Sequence, residues 1–275
     1  MKQELEVLEE LDHPHVVRVI ELLEDNNEYY VVMELLPDGN LLDFLNNISK
    51  KKVSFTERDA ANLTHQILLA LSYMHGHIPA IVHRDLKLEN IMIQTLRSEG
   101  SKDMEIILKI TDFGFACEID PEKGEKLSLG SPMYTAPEVI KGIKYDARCD
   151  VWSLGVMTYM MLSNKPPFAG DSKEVIYRKV LNYEPDYACF KRFYKGGDMC
   201  TDFLKQCLIK DFKKRPTIAQ ISEHEWMKTM VDETNISAIE QAQIGINMIR
   251  FKKASVFQNG VIAFMTGLFT RKEEI

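Results

Sequence analysis

The chain has 275 residues, of which 45% are hydrophobic, so it can bury a substantial core, and a disordered class is excluded. Its formal net charge of −7, with lysine and arginine scattered along the chain, argues against nucleic-acid binding. The five cysteines show no metal-type spacing, and no apolar run approaches the ~20 residues that cross a bilayer. We therefore expect a cytoplasmic protein with reduced thiols and no membrane span.

The first part of the chain predicts a helix followed by a β-hairpin. Leucines recur at helical spacing over residues 5–11, and Pro14 ends that helix. Residues 16–23 and 29–36 are β-branched and apolar, and a short polar turn separates them.

Two helices are expected next. One is short and covers residues 40–45. The other is long, because Thr56 and Asp59 form a capping pattern at its start and apolar residues line one face as far as about His75.

The middle of the chain predicts a strand pair, an irregular segment and a buried helix. The strands are expected at residues 90–93 and 106–110, with the polar residues 95–105 as a surface loop between them. Residues 112–138 are polar and without periodicity. Residues 151–162 are apolar almost all round, which predicts a helix buried in the middle of a lobe.

Four polar residues have the chemistry of a phosphoryl-transfer site. Such a site needs a carboxylate that accepts a hydroxyl proton, a cation beside the phosphoryl group and oxygen ligands for Mg²⁺. Asp85 is the candidate carboxylate and Lys87 the candidate cation. Asn90 and Asp112 are the candidate metal ligands. The alternative is that these side chains only cap turns in loops.

Together these residues resemble the signature of eukaryotic protein kinases. The resemblance is carried by motifs in the family's order: His83-Arg84-Asp85 with Asn90 after four intervening residues, Asp112-Phe113-Gly114, Ala136-Pro137-Glu138 and Asp150-Val151-Trp152-Ser153-Leu154-Gly155. It extends over about residues 4–227. It implies an α+β, protein-kinase-like fold of two lobes, with a mostly helical large lobe and a truncated small-lobe sheet. ATP and Mg²⁺ are the implied cofactors.

The resemblance also implies a nucleotide pocket. Glu4 matches the glutamate that pairs with the ATP-binding lysine, although it is equally readable as a solvated helix charge. Met33 matches the gatekeeper, and Glu34 to Leu36 match the hinge whose backbone binds adenine. Met92 matches the floor of the adenine pocket, and the metal ligands would face the phosphates.

Other matches imply supporting roles. The apolar column that couples the two lobes in the active enzyme is matched by Leu8, Val19, His83 and Phe113. Glu138 and Arg215 match a buried ion pair of the large lobe. Asp150 matches the acid that holds the catalytic loop, residues 83–90, by backbone hydrogen bonds.

Several positions bear on substrate choice and control. Arg84 is typical of kinases whose activation segment is tuned by phosphorylation or by an acidic substitute. Lys87 and Ser131 indicate serine/threonine rather than tyrosine specificity. Asn40 stands where basophilic relatives carry a glutamate, but Glu89 remains, so a weakened basic preference is expected.

The resemblance divides the chain into three parts. Residues 1–36 are a partial small lobe, residues 37–230 the large lobe, and residues 231–275 a junction or autoinhibitory-like helical tail. No Gly-rich phosphate loop or lysine-bearing strand precedes Glu4. We therefore expect the sequence to be incomplete, and poorly soluble and inactive when expressed alone.

The tail resembles the autoinhibitory junction of calcium-dependent protein kinases. Lys252 and Lys253 stand just before Ser255, as in a basic substrate. The resemblance implies that a calmodulin-like domain or calmodulin binds residues 244–270, while the alternative is a helix packed on the large lobe. No calcium-binding loop of the Asp-x-Asp-x-Asp-Gly type occurs in the sequence.

The expected function is that of a serine/threonine protein kinase of the calcium/calmodulin-related group, closest to the calcium-dependent protein kinases. Its partners would be protein substrates in calcium-linked signalling. The alternative is a catalytically inactive pseudokinase or scaffold fragment. Retention of every catalytic residue of the large lobe favours the enzyme.

Overall fold

The computed structural model describes residues 11–25, 28–51, 55–97, 104–119, 124–125, 130–193 and 197–231. The chain divides into two compact units, residues 1–231 and 232–275. The second unit lies outside the described residues. Residues 1–10 do too, so the structure describes neither Glu4 nor the predicted helix at residues 5–11, apart from Leu11. This division does not test the predicted boundary between the lobes at residues 36 and 37, which stays a prediction.

The first unit is an α+β fold of helices and antiparallel strand pairs. The described strands are β1 (Val19–Asp25), β2 (Glu28–Met33), β3 (Ala80–Val82), β4 (Ile91–Arg97), β5 (Met104–Ile110) and β6 (Cys117–Ile119). The described helices are α1 (Leu41–Lys51), α2 (Glu57–His75), α3 (Pro137–Ile140), α4 (Arg148–Ser163), α5 (Lys173–Asn182), α6 (Ala188–Phe193), α7 (Gly197–Cys207), α8 (Ile218–Ser222) and α9 (Glu225–Met230). Within the described residues no helix combines the length and apolar character needed to span a membrane.

The predicted hairpin is present as β1 paired with β2, with a bulge near Val19. The second strand ends at Met33, three residues earlier than expected, because residues 34–36 leave the ladder to form a connecting segment. Leu35 in that segment is 85% exposed, while Leu36 is buried in the core. Apolar side chains of the hairpin are also exposed, namely Ile20, Leu23, Tyr30, Val32 and Met33.

The long helix α2 begins as predicted. The Thr56 side chain accepts from the Asp59 amide, and the Asp59 side chain accepts from the Thr56 amide, so both ends of the capping box are made. The buried face of α2 packs on α4, which is buried almost all round. A Cβ at Gly155 would lie only 2.5 Å from the Cys207 Cβ, so a glycine here permits close packing of α4 on α7.

Strands β4 and β5 are longer than the sequence predicted. They pair from Ile91 with Ile110 to Arg97 with Met104, so much of the expected loop at residues 95–105 is strand. Thr95 has a partner outside the strand pair, because its amide and hydroxyl both donate to Asp38. The β5 edge is tied to α2 by Gln66, whose amide group donates to the Ile106 carbonyl and accepts from the Leu108 amide.

A cluster of rings joins the segment before β1 to α2 and β5. His13 stacks on Tyr73 of α2 at 5.1 Å between ring centroids, and the Asp12 amide donates to the Tyr73 hydroxyl. His15 is 3% exposed and its Nδ1 lies 2.9 Å from the Leu108 carbonyl. Burial lowers the pKa of His15 to about 4, and that of His13 to about 4.

Because the pKa values of these histidines are lowered, we expect the protein to lose stability in mild acid. The folded state keeps His15 neutral down to about pH 4, whereas the unfolded chain protonates it below about 6.5. The free energy of unfolding should therefore fall as pH drops from 6.5 towards 4, by about 3 kcal/mol from His15. Chemical denaturation of the intact protein across this range would measure the slope, which His15→Asn should flatten. Equal slopes in the parent and the variant would contradict the assignment.

Candidate active site

The carboxylate of Asp85 is buried and fully engaged. It is 4% exposed, and its Oδ2 lies 2.6 Å from the Lys87 ammonium. Its Oδ1 accepts from the Ser131 amide at 2.8 Å and from the Ser131 hydroxyl at 3.0 Å. The catalytic loop and the segment before Ala136-Pro137-Glu138 therefore meet at this one side chain.

The two predicted metal ligands are adjacent. Asn90 ends a 3₁₀ turn, Leu88–Asn90, and its Nδ2 donates to the Asp85 carbonyl at 3.0 Å and to Asp112 Oδ2 at 3.2 Å. The Thr111 amide and hydroxyl both donate to the Asn90 carbonyl, which joins the two motifs. Asn90 is buried, whereas Asp112 is exposed. The predicted catalytic and metal-binding residues thus form one constellation.

This constellation fits Mg²⁺ in its chemistry. Mg²⁺ prefers oxygen ligands, and it keeps several waters while taking one or two protein ligands plus substrate phosphates. An exposed carboxylate at Asp112 and an amide at Asn90, oriented by its own hydrogen bonds, provide such a set. Among the described residues no group of three or more His, Cys, Asp or Glu side chains could hold a metal ion.

The backbone is strained at this site. Arg84 has φ 68° and Asp112 has φ 61°, in the left-handed region that non-glycine residues seldom adopt. Gly130, at φ 99°, precedes Ser131, and a Cβ there would lie 2.9 Å from the Arg84 carbonyl. Glycine is therefore needed where this segment passes over the catalytic loop.

Asp150 holds the strained loop from α4. Its Oδ2 accepts from the His83 amide at 2.9 Å, and its Oδ1 accepts from the Arg84 amide at 3.0 Å. His75 Nε2 lies 3.0 Å from Oδ2. Burial alone would raise the pKa of Asp150, but the hydrogen bonds from the His75 ring and the His83 amide hold it below its usual value. The predicted role of Asp150 matches this geometry, and His75 is a partner that the sequence did not reveal.

His83 has a structural role. Burial lowers its pKa, so the ring is neutral. Nε2 donates to the Thr111 carbonyl at 3.0 Å, and Nδ1 accepts from the Asp85 amide at 3.3 Å. The ring also packs on Phe113 at 5.0 Å between centroids, as the predicted apolar column requires.

Arg84 faces an acid of the activation segment, which lies between Asp112 and Glu138. Its Nε donates to the Phe115 carbonyl, and its guanidinium lies 3.8 Å from the Glu125 carboxylate. The backbone of Glu125 also pairs with that of Tyr145. Glu125 is therefore an acid within ion-pair distance of Arg84.

The predicted buried ion pair is present. Arg215 donates to both oxygens of Glu138, at 2.6 and 2.9 Å, and both side chains are buried. The Arg215 guanidinium also lies 5.1 Å from the centroid of the Trp152 ring. This bidentate pair ties the end of the activation segment to the helical core.

The segment that follows the hinge lies beside strand β4. Asn40 forms a backbone bridge with Met92, and the Gly39 carbonyl accepts from the Ile93 amide. The Glu34 amide donates to the Arg18 carbonyl. The Glu34 side chain points inward, because its Oε1 accepts from the Arg18 amide at 2.9 Å and lies 2.7 Å from the Lys109 ammonium.

Two predicted substrate-reading positions are engaged within the protein. Asn40 caps α1, because its Oδ1 accepts from the Asp43 amide and its Nδ2 donates to the Asp43 carboxylate. Glu89 accepts from the Tyr134 hydroxyl at 3.1 Å. Only part of the Glu89 carboxylate remains for a substrate cation.

Comparisons with known proteins agree with this geometry. Residues 1–227 match the sequence profile described as "Protein kinase domain". The chain is 36% identical over 276 aligned positions to calcium-dependent protein kinase 4 of Plasmodium falciparum (isolate 3D7), covering 99% of this chain and 49% of that protein. It is 34% identical over 247 positions to myosin light chain kinase A of Dictyostelium discoideum, covering 88% of this chain and 78% of that protein. The chain spans about half the length of the first of these relatives.

Proposed function

The chain belongs to the protein kinase family, and from that premise we propose that it transfers the γ-phosphate of ATP to serine and threonine hydroxyls of proteins. The observation that carries the proposal is the position of the Asp85 carboxylate, which is held by Lys87 and Ser131 next to Asn90. A buried acid that is already oriented needs little reorganisation when a substrate hydroxyl arrives.

Each residue of the constellation has a role in this reaction. Asp85 orients the substrate hydroxyl and accepts its proton, and Lys87 steadies the γ-phosphoryl group. Asn90 and Asp112 would hold Mg²⁺, which when bound neutralises charge on the phosphates. Ser131 keeps the Asp85 carboxylate in register with the segment on which the substrate lies.

The nucleotide would lie along the hinge. The backbone of Glu34 and Leu36 would bind the adenine edge, although the Glu34 amide also donates to the Arg18 carbonyl, and Met92 would form the floor of the adenine pocket. Glu4 would pair with a phosphate-contacting lysine on a strand that the 275 residues do not include. For protein substrates we propose a weak preference for basic residues, because Glu89 is partly engaged by Tyr134 and Asn40 carries no charge.

A non-catalytic scaffold is the second candidate. It has no need of an acid, a cation and two metal ligands in one hydrogen-bonded group, so the geometry favours the enzyme. Incubation of the intact protein with labelled ATP, Mg²⁺ and a mixed protein substrate, followed by phosphoamino-acid analysis, tests the choice. Phosphoserine and phosphothreonine without phosphotyrosine are expected. Nucleotide binding without any transfer would favour the scaffold.

Regulation by calcium is proposed for the tail. Calcium-dependent protein kinases are among the relatives, and residues 244–270 combine two lysines with apolar anchors such as Ile246 and Ile249. A peptide of these residues should bind calcium-loaded calmodulin, and not the calcium-free form, in titration calorimetry. A control peptide with Lys252 and Lys253 replaced by glutamate should bind more weakly. Absence of heat with the calcium-loaded form would contradict this partner.

The cellular location follows from the same proposal. All five cysteines are free, which suits a reducing compartment, and we therefore place the protein in the cytoplasm.

A further inference from the structure

Lys109 is a buried charge within residues 106–110, the apolar part of strand β5. Its neighbours on β5, Leu108 and Ile110, are buried, and Lys109 itself is 3% exposed. A lysine is almost never buried to this extent unless it is paired, because its ammonium must leave water. Its ammonium lies 2.7 Å from Glu34 Oε1 and 3.5 Å from the Val16 carbonyl.

The ion pair connects three elements that meet at the nucleotide. Glu34 belongs to the hinge, and its Oε1 also accepts from the Arg18 amide. Lys109 pairs directly with Met92 across the β4–β5 ladder. Lys109 also stands on the strand that leads into Asp112. One ion pair therefore relates the hinge, the adenine floor and the metal-binding acid.

Backbone bonds reinforce the same connection. The Val17 amide donates to the Ile110 carbonyl, and the Ile110 amide donates to the His15 carbonyl. The positive charge of Lys109 also contributes to lowering the pKa of His13 and of His15, after burial. Asp12 acts on the pKa of His13 in the opposite direction, and Glu34 is the acid that contacts the Lys109 ammonium directly.

Buried ion pairs contribute little net stability compared with apolar side chains of similar volume, and their best-attested use is to select one arrangement of the chain. We propose that Lys109 is a positioning residue for the nucleotide: through Glu34 it fixes the hinge backbone relative to Met92 and Asp112. This inference rests on the proposed use of ATP. It assigns the Glu34 side chain to the protein interior, while the Glu34 backbone serves adenine.

The test compares Lys109→Met, Glu34→Gln and the double variant in the intact protein. Lys109→Met keeps an unbranched chain and removes the charge. The matched control is Glu57→Gln, because Glu57 is a buried acid that accepts from Trp226 Nε1 at 2.8 Å, away from the hinge. The two readouts are amide hydrogen exchange at Arg18 and Glu34 without nucleotide, and the Kd of a fluorescent ADP analogue with and without Mg²⁺.

Lys109→Met should speed exchange at both amides and raise the Kd about five- to tenfold, with or without Mg²⁺. Its KM for ATP should rise while kcat changes less than twofold. The Kd of the double variant should not exceed that of the single variant that binds more weakly, because the pair acts as a unit. Glu57→Gln should lower the unfolding temperature and leave the Kd unchanged.

Three outcomes would contradict either the inference or the proposed function. Unchanged exchange at Arg18 and Glu34 in Lys109→Met overturns the positioning role, whatever the nucleotide result. A parent protein that binds no ADP overturns the proposed function instead. A lowered unfolding temperature without any change in exchange or Kd would reduce Lys109 to a structural residue and also overturns the inference.

Discussion

Replacement of Asp85 by alanine is expected to lower kcat for phosphoryl transfer by about 10²- to 10⁴-fold, the usual contribution of a positioned general base. The carboxylate is the one group in the described site that can accept the substrate's proton while already bound to Lys87 and Ser131. The affinity for ADP should change little, because Asp85 is proposed to contact the hydroxyl substrate rather than the nucleotide. Steady-state kinetics together with ADP titration of the intact protein separate the two effects.

Removal of Asp85 also leaves the Lys87 ammonium and the Ser131 hydroxyl without their acceptor, so folding must be checked separately. Asp85→Asn is the second variant, since it keeps the shape of the side chain and loses the charge. The control is Asp171→Ala, an exposed acid before α5. Unaltered turnover in Asp85→Ala would show that this loop does not carry the chemistry.

Local signals account for the elements that the sequence predicted well. The start of α2 could be predicted because Thr56 and Asp59 satisfy each other within one turn, without help from distant residues. The end of α1 could not. That helix runs to Lys51, six residues beyond the expected end, through a polar and mostly exposed stretch that has no apolar period. Its last lysines are favourable at a helix C-terminus, but that signal is weak.

The site was predictable to the extent that its chemistry follows a short-range pattern. Asp85, Lys87 and Asn90 lie within one loop, and their side-chain types alone indicate their roles. The contacts that hold the loop are long-range. His75 meets Asp150 from 75 positions away. No local period encodes such a pairing, so the partner could be found only in the fold.

Lys109 shows where the sequence did contain an unused signal. A single lysine within the apolar run of residues 106–110 breaks the pattern of a buried strand. A buried charge implies a partner, but the sequence does not say which acid supplies it. In the fold this acid is Glu34, for which the sequence had predicted only a backbone role in the hinge.

Replacement of Asp112 by asparagine is expected to abolish the gain in nucleotide affinity that Mg²⁺ provides and to reduce turnover by more than 10²-fold. Each charge-assisted contact is worth roughly 1.5–3 kcal/mol, or about 10- to 150-fold in affinity. Asparagine is preferable to alanine, because Asp112 has φ 61°, a conformation that asparagine tolerates and alanine does not. Titration of ADP at several Mg²⁺ concentrations measures the effect.

The matched control is Asp202→Asn on α7, where the carboxylate also accepts side-chain hydrogen bonds, from His224 and Gln206, but belongs to another surface. It should leave the Mg²⁺ dependence intact. The Asp112→Asn protein should still bind adenosine like the parent, because the hinge and Met92 are untouched. If its ADP affinity rose with Mg²⁺ as steeply as that of the parent, Asp112 would not be a metal ligand. The exposed carboxylate beside Asn90 would then need another explanation, such as orienting the Asn90 amide alone.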